Sequence, residues 1–143
     1  MRNERENDDI MPKVVLDTNV LVSAVISQGK PRQLFQKGID KEFAMVTSDF
    51  ILKELVTVLR RPKFRQSEDE IRRVVLGLLG ASEVVEVTPR FRIVKDDPSD
   101  NAILSTAYYG GADMIVTGDR HLLILKNFKG TAILTVSEAL KRL

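Results

Sequence analysis

The sequence predicts an α/β protein whose parallel sheet is covered on both faces by helices. Three observations carry this. Short apolar runs rich in β-branched residues recur at residues 13–17, 43–47, 83–87, 114–117 and 132–134. Amphipathic segments with helical spacing lie between them, and helix-start signals sit where those segments begin. No internal repeat interrupts the alternation, and 143 residues suffice for one domain that buries roughly two thirds of the surface its unfolded chain exposes.

Residues 1–12 show no apolar periodicity and are expected to be a disordered extension. Met11, followed by Pro12 and Lys13, is an alternative start. Residues 13–17, "KVVLD", read as a buried strand. Val20, Leu21, Ala24 and Val25 then keep helical spacing until Gly29 and Pro31 break it. Pro31 opens a short helix through Gly38, and a strand at 43–47 follows. Ser48 is placed to cap a helix with the stripe Phe50, Ile51, Leu55, Val58 and Leu59, ending before Pro62. Ser67 with Glu70 forms a capping box for a helix carrying Ile71, Val74, Val75, Leu78 and Leu79 and stopping at Gly80. After the strand at 83–87, the pattern leaves open whether residues 91–94 extend it or stand alone. Ser99 is read as the cap of a helix to about Tyr109, closed by Gly110 and Gly111. A strand at 114–117, an apolar turn at 122–125, a strand at 132–134 and a last helix opened by Thr135 with Glu138 complete the chain.

Composition narrows the function classes. With 43% hydrophobic and 29% charged residues the chain reads as globular, and no apolar stretch approaches the roughly 20 residues of a membrane span. No signal peptide pattern is visible. The absence of cysteine excludes disulfides, thiolate metal sites and cysteine nucleophiles. It fits a reducing compartment, so the cytoplasm is the expected location. A net charge of +2 permits a nucleic-acid partner without requiring one. The first twelve residues are net negative, so the remainder is more basic. "RRPKFR" sets Arg60, Arg61, Lys63 and Arg65 around a phenylalanine, either as a solvated loop or as a phosphate-binding patch.

Four acids stand out. In an open parallel sheet, ligands gather at the carboxyl ends of the strands. Asp17 ends the first predicted strand and Asp119 lies two residues past the strand at 114–117. Asp100 sits in the first turn of the helix opened by "DDPSDNAIL", and Glu54 lies beside the apolar stripe of its helix. Each also has a simpler reading: a dipole partner for Asp100, a turn residue for Asp119, a solvent-facing side chain for Glu54. Asp17 resists this, because a carboxylate directly behind a buried strand is costly unless compensated. If the four converge, like charges about 4 Å apart repel by roughly 4 kcal/mol at an effective dielectric near 20. A hard divalent cation, Mg²⁺ or Mn²⁺, suits such an all-oxygen set.

Taken in order, "VVLDTNVLVSAV", "SDFILKELVTVLRRPKF", "DDPSDNAILSTAYYGGADMIVTGDRHLL" and "ILTVSEALKRL" resemble a PIN domain over residues 13–143. The likeness is greatest to the small bacterial and archaeal VapC-like PIN ribonucleases, toxins of toxin–antitoxin pairs. The resemblance implies a three-layer α/β/α sandwich with a central parallel sheet and metal-dependent endoribonuclease activity. It implies Asp17, Glu54, Asp100 and Asp119 as the metal-binding and catalytic acids, with Asn19 and Thr117 supporting them. Asp96 and Asp97 stand as assistants or substitutes for Asp100. Mg²⁺ or Mn²⁺ would activate water for in-line attack, leaving a 5′-phosphate and a 3′-hydroxyl. Arg60, Arg61, Lys63, Arg65 and Arg120 become candidate contacts to the RNA backbone. His121 is read as an ordinary exposed histidine. The partners implied are an RNA substrate, an antitoxin and a second copy of the chain in a homodimer. Two alternatives remain: a catalytically weak or inactive binding module on the same fold, and a receiver-like Mg²⁺-binding phosphorelay domain. The receiver reading needs an acid pair after the first strand and a lysine after a late one, and neither is evident.

Overall fold

Val14, Val15 and Leu16 are buried, as a strand covered on both faces requires, and the elements that cover them follow in chain order. The structure, a computed structural model, describes residues 11–87, 93–94 and 97–143. The strands are β1 (Lys13–Leu16), β2 (Ala44–Ser48), β3 (Ser82–Val85), β4 (Met114–Val116), β5 (Asn127–Phe128) and β6 (Thr131–Leu134). Between and after them lie α1 (Thr18–Ile26), α2 (Lys30–Ile39), α3 (Asp49–Leu59), a 3₁₀ turn (Pro62–Phe64), α4 (Glu68–Ala81), α5 (Pro98–Gly110), α6 (Arg120–Leu123) and α7 (Val136–Arg142). Most of the expected extension, residues 1–10, lies outside the described residues, as do Phe91, Arg92 and Asp96. Ile93 and Val94 are in no strand.

The six strands are ordered β3-β2-β1-β4-β6-β5, and every neighbouring pair is parallel except β5 with β6. The expected central parallel sheet is thus present, with one antiparallel edge strand that the sequence did not announce. The additional strand comes from a two-residue hairpin turn in which Lys129 and Gly130 both adopt positive φ, 50° and 88°. Such turns match the twist of the strands they join.

Two glycines report the layering. A Cβ on Gly38 of α2 would collide with the Met45 side chain, and one on Gly110 of α5 with that of Val46. Met45 and Val46 are consecutive in β2 and so point to opposite faces. Helices therefore sandwich the sheet, and the core fills both interfaces, with Leu21, Leu34, Leu55 and Leu78 among its buried side chains and Ile103 and Leu104 contributed by α5. Both capping boxes form, Ser67 with Glu70 and Thr135 with Glu138.

The start of α5 differs from the expectation. Asp97, not Ser99, is the N-cap: Pro98 occupies the first helical position and the Asp97 carboxylate accepts the Asp100 N–H at 3.0 Å. Proline lacks an N–H and is pre-set for a first turn, which shifts the helix start by two residues. Leu79, expected on the apolar stripe of α4, is 41% exposed, because that helix turns Ile71 and Leu78 to the core. The strand expected through residue 87 ends at Val85, and the Val87 N–H is taken instead by the Asp49 carboxylate at 3.1 Å.

Candidate metal centre

Chain order creates a crevice between β1 and β4. From β1 the chain proceeds outward through β2 and β3, and from β4 it proceeds the other way through β6, so these central strands form the switch point at which α/β sheets bind ligands. Leu16 and Val116 are the last paired residues, so Asp17 and Thr117 leave the sheet side by side. The Asp17 N–H still bonds the Val116 carbonyl at 3.0 Å, and the Thr117 N–H bonds that of Leu134 at 3.0 Å.

Thr117 ties two of the acids together. Its hydroxyl donates to Asp17 Oδ2 at 2.7 Å and accepts the Asp119 N–H at 3.0 Å. Asp17 occupies the N-cap of α1 but makes no side-chain capping bond there. The residue is only 5% exposed, and its carboxylate accepts from Thr117 instead. Asp119 caps the short α6, accepting the His121 N–H at 2.7 Å. Asp100, on the first turn of α5, is buried, and its Oδ2 has no hydrogen-bond partner among the described residues. The loop entering α5 is clamped by Asn101, whose amide accepts from the Val94 N–H at 3.0 Å and donates to the Val94 carbonyl at 2.8 Å. Glu54, half-buried on α3, accepts the Ser99 hydroxyl at 2.7 Å.

The electrostatics join these acids into one field. Burial raises the Asp17 carboxyl above its ordinary value against the lowering effect of the Thr117 hydroxyl, and Glu54 and Asp119 add to the rise. Asp100 is pushed up to about 7, first by burial and then by Asp119, Asp97 and Asp17. Apposed carboxylates therefore resist ionisation together.

Of the acids named from sequence, Asp100 and Asp119 fall within one compact donor group, whereas Asp17 and Glu54 lie outside it; Asp17 is near enough to feel the charges of Glu54 and Asp119. That group also contains Asp97 and His121: one ligand atom from each of Asp97, Asp100, Asp119 and His121 lies within 4.8 Å of the others. Asp97 was visible in sequence only as an assistant or substitute for Asp100. The His121 ring is exposed, yet its Nδ1 is 3.8 Å from Asp119 Oδ1. Ser99 was missed as a partner of Glu54, since a serine in a first turn carries no signal of a contact 45 residues away.

The remaining residues stand apart. The Asn19 side chain is exposed and makes no hydrogen bond to Asp17 or any other described residue. Arg60 to Arg65 lie past the C-terminus of α3, whose N-terminus adjoins the acids, so Arg60 is roughly 9 Å further along that axis than Glu54. Arg60 forks onto Glu68 at 3.0 and 3.3 Å, and Lys63 lies over the Phe64 ring. Arg120 is exposed beside Asp119.

The donor set fits a hard divalent ion. It is rich in carboxylate oxygens, mutually repelling, and includes a buried oxygen with no partner that a cation would satisfy. Beside it, Asn19, Ser23, Pro31, Thr117, Thr135 and Ser137 line a cavity of about 350 Å³.

A family model described as a PIN domain matches residues 13–121. An uncharacterized protein of Methanocaldococcus jannaschii, MJ1680, is 31% identical over 124 residues, covering 84% of this chain and 79% of that protein. The crystal structure of PAE2754 from Pyrobaculum aerophilum superposes with a TM-score of 0.62 at 19% identity, covering 92% of this chain and 88% of the other. VapBC2 from Rickettsia felis, crystallised with a DNA fragment from its promoter, gives a TM-score of 0.58 at 14% identity, covering 86% and 98%. At these identities the two structures speak for the fold.

Proposed function

This chain belongs to the PIN-domain family, and from that premise we propose that it is an endoribonuclease dependent on Mg²⁺ or Mn²⁺, acting as the toxin of a toxin–antitoxin pair. PIN domains are in general nucleases, which sets aside the receiver-like alternative. The observation that carries the reading is the meeting of Asp17, Asp100 and Asp119 at the β1/β4 crevice, with one buried Asp100 oxygen left unpartnered.

Asp17, Asp100 and Asp119 would hold the ion; Asp97 and His121 bring ligand atoms within 4.8 Å of those of Asp100 and Asp119. When bound, the ion supplies Lewis acidity, easing deprotonation of water and offsetting charge on the phosphate and the leaving oxygen. The chain's own residues do the positioning. Thr117 fixes the Asp17 carboxylate and, through its other lone pair, the backbone of Asp119. Ser99 holds one oxygen of Glu54, leaving the other free to orient the attacking water. Asn101 anchors the loop that presents Asp97 and Asp100. Arg120, exposed beside Asp119, is placed to meet the RNA backbone at the cleavage point. The Arg60–Arg65 run could meet it only farther along the strand. An antitoxin covering the crevice and a homodimer complete this reading.

The test is incubation of labelled single-stranded RNA with the protein in Mn²⁺ or in chelator, beside Asp17→Asn. Cleavage is expected only with metal, and at least about a hundredfold slower in the variant. Cleavage that survives chelation, or that Asp17→Asn leaves unchanged, overturns the proposal.

A further inference from the structure

We propose that the cavity flanking the acids is the subsite for one unpaired nucleotide next to the scissile phosphate, with Asn19 and Ser23 reading the nucleotide and Lys30 contacting the neighbouring phosphate. This deepens the ribonuclease reading and rests on it. Thr117 belongs to both places: its hydroxyl holds Asp17 at 2.7 Å while its side chain helps line the cavity, so a strand lying across the acids enters the cavity with its next unit. The volume of about 350 Å³ sits at the lower end of the roughly 300–1,000 Å³ typical of small-ligand pockets. Its floor is apolar, from Val20, Pro31 and Val136, as a base face requires.

The polar groups around that floor are mostly uncommitted. Among the described residues neither the Asn19 amide nor the Ser23 hydroxyl has a hydrogen-bond partner, although both line the cavity. Thr135, by contrast, is committed to Glu138 in its capping box. An amide that both donates and accepts, beside a hydroxyl that does the same, matches the edge of an unpaired base. The Lys30 ammonium donates to Oγ of Ser137, a lining residue, at 3.3 Å, and Lys30 is exposed with no ion-pair partner among the described residues. Lys30, bonded to the lining residue Ser137, and Asp17, bonded to the lining residue Thr117, both adjoin the cavity, as contacts to two phosphates of one strand require.

The experiment measures binding of a fluorescent RNA hexamer by anisotropy in Mg²⁺, and in parallel maps cleavage positions on a mixed-sequence RNA. Asn19→Ala is expected to weaken binding by roughly three- to tenfold, the loss of one net hydrogen bond, and to change the preferred cleavage position. Lys30→Met is expected to flatten the slope of log affinity against log salt by about 0.7, one single-strand phosphate contact. Ser23→Leu, which fills the cavity, should do at least as much as Asn19→Ala. Both Asn19 and Lys30 are exposed, so their variants keep the test valid if Ser23→Leu fails to fold. Wild-type affinity, salt slope and cleavage map in Asn19→Ala and Lys30→Met overturn the subsite, as does a wild-type protein that binds no hexamer. RNA bound in a variant-sensitive way but never cut leaves the subsite standing and overturns the ribonuclease reading alone.

Discussion

Glu70 and Glu138 on one side, Asp17 and Asp100 on the other, are four carboxylates at helix starts with opposite electrostatic outcomes. Glu70 and Glu138 are solvent-exposed, each accepts the backbone N–H of its cap residue, Ser67 or Thr135, and those bonds hold both below the ordinary carboxylate range. Asp17 sits at an N-cap yet declines to cap, and Asp100 takes its place in a first turn with one oxygen unpartnered. Burial and mutual repulsion push both upward. The difference teaches where the fold stabilises its charges and where it does not: the capping glutamates stabilise the helices, whereas burial and repulsion make the two aspartates costly to ionise.

The sharpest way to break this contrast is Asp100→Asn. It should lower metal-dependent cleavage by at least about a hundredfold while raising the melting temperature of the metal-free protein at pH 8, because an ionised buried carboxylate is removed. A variant that is both slower and less stable without metal would mean that Asp100 is structural.

The second prediction concerns pH. The Asp100 carboxyl titrates near 3.8 when unfolded and at about 7 when folded. The folded state therefore holds the proton more tightly between those values. The stability this group contributes is complete below pH 3.8, declines as pH rises through the window and is lost above about 7. Asp17 acts in the same direction. Thermal melts in chelator should thus show this contribution waning from pH 5 to pH 8, with little such loss in Asp100→Asn. Mn²⁺, which competes with the proton, should raise the melting temperature more at pH 8 than at pH 5. An equal metal shift at both values would contradict the linkage.

Smaller effects separate a site serine from a capping serine. Ser99→Ala, which frees Glu54, should slow cleavage by roughly tenfold at saturating metal with little change in melting temperature. Ser67→Ala should do the reverse, removing about 1 kcal/mol of stability by denaturant titration and leaving cleavage unchanged. If both variants lose only stability, Glu54 needs no positioning.

Much of this was legible along the chain because it is encoded locally. Val14 to Leu16 and Ile115 to Val116 are buried strand residues whose apolar runs announce them, and Ser67–Glu70 and Thr135–Glu138 carry their own boundary signal. The cap of α5 was misread because Ser99 and Asp97 are both good capping residues, and only Pro98 at the first helical position decides between them. The two-residue strand β5 escaped because nothing in Asn127 and Phe128 marks a strand until the Lys129–Gly130 turn folds them onto β6.

What the sequence determined by itself was most of the elements, the α/β class and the four acids as candidates, since periodicity, caps and residue type are properties of neighbours in the chain. Tertiary structure alone decided that Thr117 would bridge Asp17 and Asp119, that Ser99 would hold Glu54, and that Asp97 and His121 would come within reach of Asp100. It also decided that Asn19 would face a cavity instead of buttressing Asp17. The physical reason is that these relations depend on the parallel register of β1 with β4 and on the approach of α3 and α5 across the sheet edge. Distance along the chain carries no information about either.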